Sequence, residues 1–274
     1  MVNNPREVEM EVLITVKAYP NPSKKHTETV CVAGIRVDVE PHEWVRLYPV
    51  PFRLLPVAQR FKKYDIVRVR TVKARSDPRP ESYSPIHESL TVIDHIARGR
   101  NWDERMPMLK PVEIPSMCEL KRLQTYNGTS LGFFKPAEIL DFTITPTTPE
   151  WDDGQRGALG QGNLFCEVKT MLEKIPYDFR YVYRCDDPAC NTHEMMMIDW
   201  ELAQLYRKTD YMPEDQRLQA VRTKWLDQIC SSKRDTYFYA GNMAGHQTSF
   251  VLLGAVYPRK ANVVARAPQM ATLF

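Results

Sequence analysis

The sequence contains no apolar run that approaches the roughly 18 residues required by a membrane-spanning helix. Residues 1–20 place acidic side chains before a short apolar stretch and lack the basic segment and small-residue cleavage site of a secretory signal. Six cysteines are too few for a disulfide framework in a chain of 274 residues, and we expect them to be reduced. These absences predict a cytoplasmic protein without a membrane partner.

Sequence signatures of several common enzyme classes are also absent. The chain has no G-x-S-x-G segment, no H-E-x-x-H segment and no protein-kinase set. The glycine-containing segment at residues 241–246 lacks the spacing of a phosphate-binding or dinucleotide-binding loop. Hydrophobic residues make up 43% and charged residues 26%, which is typical of a globular protein and excludes a disordered chain. The sequence alone therefore does not establish that the protein is an enzyme.

Short strands dominate the pattern of the N-terminal part. Apolar and polar residues alternate along residues 12–19, and strand patterns return at 30–39, 44–48 and 65–75, separated by proline-containing turns. A shift of phase at Gly34 indicates a bulge. Several short strands at this spacing predict a small β-barrel.

The remainder of the chain predicts mixed structure, so the fold class is α+β. Prolines and a Thr-, Pro- and Gly-rich stretch at 143–162 predict loops, and residues 166–172 predict a short helix. Asp199 is placed to cap a helix over residues 199–208. We expect an N-terminal barrel-like region at residues 1–95, an irregular connecting region at 96–165 and an α+β region at 166–274.

Positive charge is concentrated in residues 53–79, which contain nine lysines and arginines but only two aspartates. Such a row of cations on a barrel strand is suited to bind the phosphates of a nucleic acid. A bulge after Thr71 would place the strand's cations on one side. The alternative is a solvated strand face balanced by acids elsewhere. The candidate phosphate contacts are Arg68, Arg70, Lys73, Arg75 and Arg79.

A cysteine–histidine segment is the sharpest local feature. Cys185 and Cys190 flank an Asp-Asp-Pro turn, and His193 follows, a donor set that zinc favours. Candidates for a fourth ligand are Asp186, Asp187, His246 or a water. With water, Glu194 would be a candidate acid or base of a zinc-dependent hydrolase, although a structural zinc is favoured over a catalytic one. Free thiols and a surface histidine are the alternative. We expect small buried apolar groups at the other cysteines, which are Cys31, Cys118, Cys166 and Cys230.

Two further segments suggest candidate residues. The strand predicted at 177–184 carries an aromatic stripe that either stacks bases or faces the core. The stiff loop at residues 77–81 displays Asp77 and Glu81 beside the basic strand, where they are weak catalytic candidates. The alternative for this loop is an internal ion pair within a proline-stiffened connection.

Two Leu-Phe segments are similar to peptides that dock on the bacterial sliding clamp. Gln161, Leu164 and Phe165 match the Gln-x-x-Leu-Phe pattern, and Leu273 and Phe274 end a second, longer variant. In such peptides a Leu-Phe pair fills an apolar pocket while the glutamine fixes the orientation. Apolar anchoring of a loop and a tail to the protein itself is the alternative.

Several motifs together resemble a group of uncharacterised bacterial proteins. They are the segment WVRLYPVPFR at residues 44–53, the loop DPRPE at 77–81, and the Cys-x4-Cys-x2-His segment before Asp-Trp-Glu at 199–201. The resemblance implies a bacterial or phage origin and brings no established activity.

The leading hypothesis is a nucleic-acid-binding protein of bacterial or phage DNA or RNA metabolism, including genome defence. Two alternatives belong to other classes. One is a zinc-dependent hydrolase, and the other is an interaction module that docks on a protein partner through its Leu-Phe segments.

Overall fold

The N-terminal part of the chain forms a closed five-stranded β-barrel. The computed structural model describes residues 6–20, 22, 29–163 and 172–260. Each barrel strand pairs with two others in the cyclic order β1–β2–β3–β5–β4–β1, and a sixth strand, β6, adds to the free half of β4. The strands are β1 (Glu7–Lys17), β2 (Val30–Arg36), β3 (Glu43–Val50), β4 (Asp65–Lys73), β5 (Ser82–Pro85) and β6 (Thr91–His95).

Strand β1 closes the barrel by pairing with both β2 and β4, and it is apolar on both faces. Met10, Val12 and Ile14 point into the barrel and are fully buried there. Leu13 and Val16 point outward and are covered by the second part of the chain. The residues of β1 therefore pack in two cores, which explains its nearly continuous apolar run.

Pairing in the barrel identifies its topology. All neighbouring strands are antiparallel except β3 and β5, which run parallel. This cyclic order with one parallel closure is the arrangement of the OB-fold, a five-stranded Greek-key barrel. Short 3₁₀ turns, at Phe52–Leu54 and Val57–Gln59, occupy the connection between β3 and β4.

The second part of the chain contains two three-stranded sheets and four of the five α-helices in the described residues. One sheet has the order β10–β9–β8 and the other β12–β11–β7. The strands are β7 (Leu131–Phe134), β8 (Glu138–Pro146), β9 (Tyr177–Arg184), β10 (His193–Met196), β11 (Tyr237–Met243) and β12 (His246–Val256). The helices are α1 (Met106–Leu109), which precedes this part, α2 (Met117–Asn127), α3 (Asp153–Asn163), α4 (Trp200–Lys208) and α5 (Glu214–Arg222), which runs into a π-helical turn at Thr223–Gln228.

The two parts share a hydrophobic cluster. Leu13 and Ile35 on the outside of the barrel pack in the same cluster as Tyr239 and Leu253 from the sheet of β11 and β12. A second cluster lies within the C-terminal part and includes Tyr181 at its centre. Burial of the barrel's outer face fixes the second part against β1 and β2.

The structure confirms the predicted α+β class with its N-terminal barrel. It also confirms the helix capped by Asp199, whose carboxylate accepts a hydrogen bond from the Glu201 backbone N–H at 2.6 Å. The aromatic stripe of β9 faces the core, since Tyr181 and Tyr183 are fully buried. Among the described residues, no helix is long and apolar enough to cross a membrane.

Other expectations for local structure were wrong. Residues 96–165 are not irregular, because α2, β7, β8 and α3 lie there and three of these pack with the sheets or core of the second part. The stretch 143–162 contains the end of β8 and most of α3 rather than a loop alone. The bulge near Gly34 lies in β1, where the register shifts between Ile14 and Val16. Residues 166–171 of the predicted short helix lie outside the described part of the chain.

Candidate metal centre and ligand cleft

Four metal-ligating side chains meet where α2 packs on the β9–β10 hairpin. The ligand atoms of Cys118, Cys185, Cys190 and His193 all lie within 4.8 Å of one another. The Sγ of Cys118 is 3.3 Å from Nε2 of His193. Three sulfurs and one imidazole nitrogen at this spacing form a donor set that can hold one metal ion.

Helix α2 supplies Cys118 from its first turn. Ser116 caps this helix, its Oγ accepting a hydrogen bond from the Glu119 N–H at 3.0 Å. Arg122, one turn further along, donates to Asp187 of the hairpin at 2.7 Å. The cap fixes where the helix begins, and the ion pair holds it against the turn that carries the other ligands.

The hairpin turn presents its two thiols on one side. The Cys190 N–H donates to the Asp187 carbonyl oxygen at 2.9 Å, which closes the Asp-Asp-Pro turn. The Cys185 N–H then donates to Cys190 Sγ at 3.2 Å. Thr192 adopts a left-handed backbone with φ of 67°, and this turns the chain so that His193 enters β10 facing the thiols.

Local electrostatics favour a neutral imidazole and one readily ionised thiol. Burial and the nearby Lys121 lower the pKa of His193, so this side chain is an available nitrogen ligand. Burial raises the pKa of Cys118 to about 12 and also raises that of Cys185. Burial opposes ionisation of Cys190 too, but backbone N–H groups of Cys185 and Thr192 outweigh it and lower the pKa of that thiol. A bound cation would supply the charge that the other thiols need to ionise.

The sequence predicted three of these four residues and missed Cys118. Cys118, rather than Asp186, Asp187 or His246, completes the cluster that could hold a metal ion. Cys118 precedes Cys185 by 67 residues, so motif spacing gave no signal for it. Asp187 instead pairs with Arg122, which lowers the pKa of this carboxyl.

A separate cleft lies on the outer face of the barrel. It has a volume of about 560 Å³ and opens over β2 and β3, beside the loop that joins β4 to β5. Arg46 and Tyr48, two residues apart on β3, point outward into its floor. Asn242 and Leu253 of the second part form the opposite wall.

Arg46 is the most unusual side chain of the cleft. It is 2% exposed, and its guanidinium donates to Cys31 Sγ at 3.3 Å and to the Ser130 carbonyl and Oγ at 3.2 and 3.1 Å. Among the described residues it forms no ion pair, and its Nε has no hydrogen-bond partner. The Oδ1 of Asn242, on the opposite wall, is likewise buried without a partner. Unsatisfied buried polar groups are rare, and two of the seven found among the described residues line this cleft, which makes it a candidate binding site.

The stiff loop before β5 forms an internal ion pair beside the same cleft. Arg79 is 5% exposed, pairs with Asp77 at 2.6 Å and donates to the Asn242 carbonyl oxygen at 2.8 Å. Burial opposes ionisation of Asp77, but hydrogen bonds from Arg79 and Ser82 outweigh it and lower the pKa of this carboxyl to about 2. Glu81 accepts hydrogen bonds from the N–H and Oγ of Ser130 at 2.7 and 2.8 Å.

The cations of β4 do not form the single row on one face that the sequence predicts. Arg68 pairs with Glu11 at 2.7 Å and Arg70 with Glu7 at 3.0 Å, both across the β1–β4 pairing. The register of β4 runs through Thr71 without a bulge, so Lys73 lies on the other face of the strand, its ammonium 4.3 Å from the centre of the Tyr83 ring. Arg75 follows the end of the strand. Phosphate binding by these residues stays a prediction.

The remaining predicted site residues are Glu194 and those of the two Leu-Phe segments. Glu194 is exposed, and its carboxylate lies 4.0 Å from Arg180. Gln161 belongs to α3, whereas Leu164, Phe165, Leu273 and Phe274 lie outside the described residues. Docking on a partner through these segments therefore stays a prediction.

An OB-type barrel joined to an α+β region with a Cys₃His cluster defines the class of this protein. The chain belongs to the family described as "Domain of unknown function (DUF8757)", whose model matches residues 112–274. Residues 8–111 match a second model, "Domain of unknown function (DUF8758)". Neither family model has an assigned activity.

Two other comparisons add little. No curated protein matches the sequence. Among solved structures, the chain is similar to that of a murine DNA-binding protein bound to double-stranded DNA, with 11% identity and a TM-score of 0.30 over 92% of this chain and 96% of that one. A likeness at this level carries no argument about what the present chain binds.

Proposed function

We propose that this protein binds a single nucleic-acid strand in the cleft over β2 and β3. The observation that carries the proposal is the position of the cleft. In an OB-fold, oligonucleotides bind on the face of strands 2 and 3 between the loops that follow strands 1 and 4. Here the second part of the chain covers Ile35 and Trp44 on that face, and the cleft lies over the remaining portion, where Arg46 and Tyr48 of β3 line it.

The cleft has the chemistry that a nucleotide needs. Its volume of about 560 Å³ is within the usual range for small-ligand sites and admits a nucleotide unit. Arg46 contributes a buried positive charge that forms no direct ion pair among the described residues, and it connects to the Glu81 carboxylate only through the Ser130 hydroxyl. Tyr48 is half-buried and supplies an aromatic side chain on which a base can stack.

The cleft is a better candidate than the outer face of β4. Arg68 and Arg70 are already paired with glutamates on β1, so binding phosphates there would require these ion pairs to separate. Arg46 forms no direct ion pair within the described part of the chain, so no pair has to separate there. We therefore assign the principal contact to the cleft, while the row of β4 cations stays a secondary hypothesis, as do a bacterial or phage setting and a role in genome defence.

The Cys₃His cluster supports a structural zinc ion within the same proposal. Four protein ligands complete a tetrahedron and leave no position for a reactive water, which is the arrangement of structural zinc sites. Zinc also suits this mixture of sulfur and nitrogen ligands. In this proposal the ion fastens α2 to the hairpin, and Glu194 has no role in hydrolysis.

Binding of labelled oligonucleotides tests the proposal. Fluorescence anisotropy with single-stranded DNA, single-stranded RNA and duplex DNA, measured over a salt series, should show preference for single strands and loss of affinity with salt. Tyr48→Ala should weaken single-strand binding by about tenfold, because stacking of one base contributes about 1–3 kcal/mol.

Two matched variants serve as controls. Tyr211→Ala removes an exposed tyrosine distant in sequence and should leave the affinity unchanged. The double variant Arg68→Ala/Arg70→Ala tests the face of β4. If that double variant abolishes binding while Tyr48→Ala retains it, the cleft is not the site. Absence of binding to every oligonucleotide at low salt would refute nucleic-acid binding itself.

A further inference from the structure

A second cavity opens near one end of the barrel, on the other side of β1 from the cleft. The end of β1 lies between the two sites. Lys17 lines this cavity, whereas the next residue, Ala18, lines the cleft. The cavity has a volume of about 440 Å³. Its walls come from the end of β1, the loop before β4, the segment after β6 and the first turn of α4.

Positive charge dominates the lining of this cavity. Among the described residues that line it, Glu201 is the one carboxylate. The cationic side chains that line it, apart from the titratable His95, are Lys17, Lys62, Lys63, Arg98 and Arg105.

The acids near this cavity are committed to other partners. Lys63 Nζ lies 2.9 Å from Asp199 and 3.3 Å from Glu201. Burial works against the charge of Lys63, but these two carboxylates outweigh it and raise its pKa. Asp65 is bound by His95 Nδ1 at 2.6 Å. Among the described residues, the remaining cations of the cavity form no direct ion pair with a carboxylate, although Glu201 attracts Lys17 at longer range.

Three of those cations are available to a ligand. Within the described part of the chain, the side-chain nitrogens of Lys17, Lys62 and Arg98 form no hydrogen bond or ion pair with the protein. Arg105 is held differently, because its Nε donates to the Ile96 carbonyl oxygen at 2.9 Å and its guanidinium stacks on the ring of Tyr64 at 3.8 Å.

Lys17 shows how unusual this arrangement is. It is only 9% exposed, and its ammonium lies 3.8 Å from the centre of the Phe52 ring and 4.8 Å from that of Trp200. Burial lowers its pKa to about 8, against the opposing attraction of Glu201. A buried lysine whose direct contacts are aromatic rings and whose nearby carboxylates do not offset its burial has an incompletely compensated charge, and a ligand anion would complete the compensation.

We propose that this cavity is a binding site for the phosphate group of a small molecule, with Lys17, Lys62 and Arg98 contacting the phosphate oxygens. Its volume exceeds what one phosphate ion fills, and Trp200 and Tyr257 also line it. The ligand is therefore either free phosphate or a phosphomonoester with an attached ring, such as a nucleoside monophosphate. This site is separate from the nucleic-acid cleft and does not depend on it.

Isothermal titration calorimetry of the full chain distinguishes free phosphate from a ring-bearing phosphomonoester. The probes are inorganic phosphate, adenosine monophosphate and adenosine, each in a phosphate-free chloride buffer near pH 7. We expect phosphate and adenosine monophosphate to bind and adenosine not to bind. If adenosine monophosphate binds more tightly than inorganic phosphate, the ligand is a phosphomonoester with an attached ring. If inorganic phosphate binds and adenosine monophosphate does not, the ligand is free phosphate. Equal binding of adenosine and its monophosphate, or no binding of either phosphate compound, overturns the proposal.

Exposed residues allow the site to be altered without unfolding the protein. The double variant Lys62→Ala/Arg98→Ala removes two exposed side chains and should weaken phosphate binding by at least tenfold. The matched control is Lys208→Ala/Lys233→Ala, which removes two exposed charges that do not line the cavity and should bind phosphate as the parent protein does. Equal phosphate affinity of both double variants would contradict the assigned site.

Discussion

The side-chain ammonium of Lys63 lies 2.9 Å from Oδ2 of Asp199, a residue 136 positions later in the chain. Lys63 belongs to the loop that enters β4 of the barrel, whereas Asp199 caps α4 of the second part. The two side chains are 6% and 1% exposed. One buried ion pair therefore connects the barrel to the α+β region and fixes the start of the helix at the same time.

Removing the lysine from this pair should strongly destabilise the protein. In Lys63→Met the Asp199 carboxylate stays buried without its counter-charge, and loss of one partner of a buried pair typically costs about 3–5 kcal/mol. Urea denaturation followed by circular dichroism measures this loss in the free energy of unfolding. Lys62→Met is the neighbouring control, because Lys62 is exposed and its ammonium forms no ion pair among the described residues. A similar, small effect of both substitutions would show that the Lys63–Asp199 pair is not structurally important.

The lowered pKa of Lys17 predicts a dependence of stability on pH. In the folded protein Lys17 loses its proton near pH 8, whereas its ordinary value is 10.5. Between these values the unfolded chain binds more protons, so the Lys17 contribution to the free energy of unfolding rises with pH by a total of about 3 kcal/mol. Below pH 8 both states are protonated, and the burial cost applies in full.

Replacement of Lys17 by methionine isolates this effect. Lys17→Met should be more stable than the parent protein at pH 7, and the difference between the two should shrink as the pH is raised toward 10.5. Chemical denaturation at a series of pH values measures both proteins under identical conditions, so other titrating groups cancel. A difference that does not change with pH would show that Lys17 has an ordinary pKa in the folded protein.

Close approach of β1 and β2 predicts a position at which only glycine fits. A Cβ atom added to Gly34 would lie 2.5 Å from the Leu13 carbonyl oxygen, which is backbone and cannot move without shifting β1. We expect Gly34→Ala to lower the free energy of unfolding by about 1–3 kcal/mol, as overpacking commonly does. Gly245→Ala is the control, since nothing lies within 4 Å of its added Cβ. Thermal unfolding of both variants checks the contrast, and equal melting temperatures would argue against a tight contact at Gly34.

The barrel could be predicted from the sequence because its strands are rich in apolar residues and proline-containing turns separate them. The pairing of β3 with β5 could not, because it joins segments whose contact depends on the closed barrel. The same distinction applies to the sites. Cys185, Cys190 and His193 are close in sequence and were recognised, whereas Cys118 reaches them only through the packing of α2.

Charge was the least informative sequence signal. The cations of β4 formed an obvious cluster, yet Arg68 and Arg70 are opposite glutamates that cross-strand pairing with β1 supplies. Lys17 and Arg46 carried no comparable signal, since each is a single cation within an apolar strand. Their proposed roles depend on their burial and on the lack of a direct ion pair among the described residues, and a sequence does not display either property.

Metal content tests the candidate metal centre most directly. Protein purified without chelator and supplied with zinc should contain one zinc ion per chain, measured by inductively coupled plasma mass spectrometry. Cys118→Ser should lose this zinc and have a lower melting temperature, because metal binding to the folded state contributes to its stability. Cys230→Ser is the matched control, since the Cys230 thiol lies outside the cluster and instead contacts the Trp225 carbonyl oxygen at 3.3 Å. A chelator should lower the melting temperature of the parent protein and of Cys230→Ser but leave Cys118→Ser unchanged. If Cys118→Ser retained stoichiometric zinc, Cys118 would not be the fourth ligand, and if the parent protein held none, the cluster would not be a zinc site.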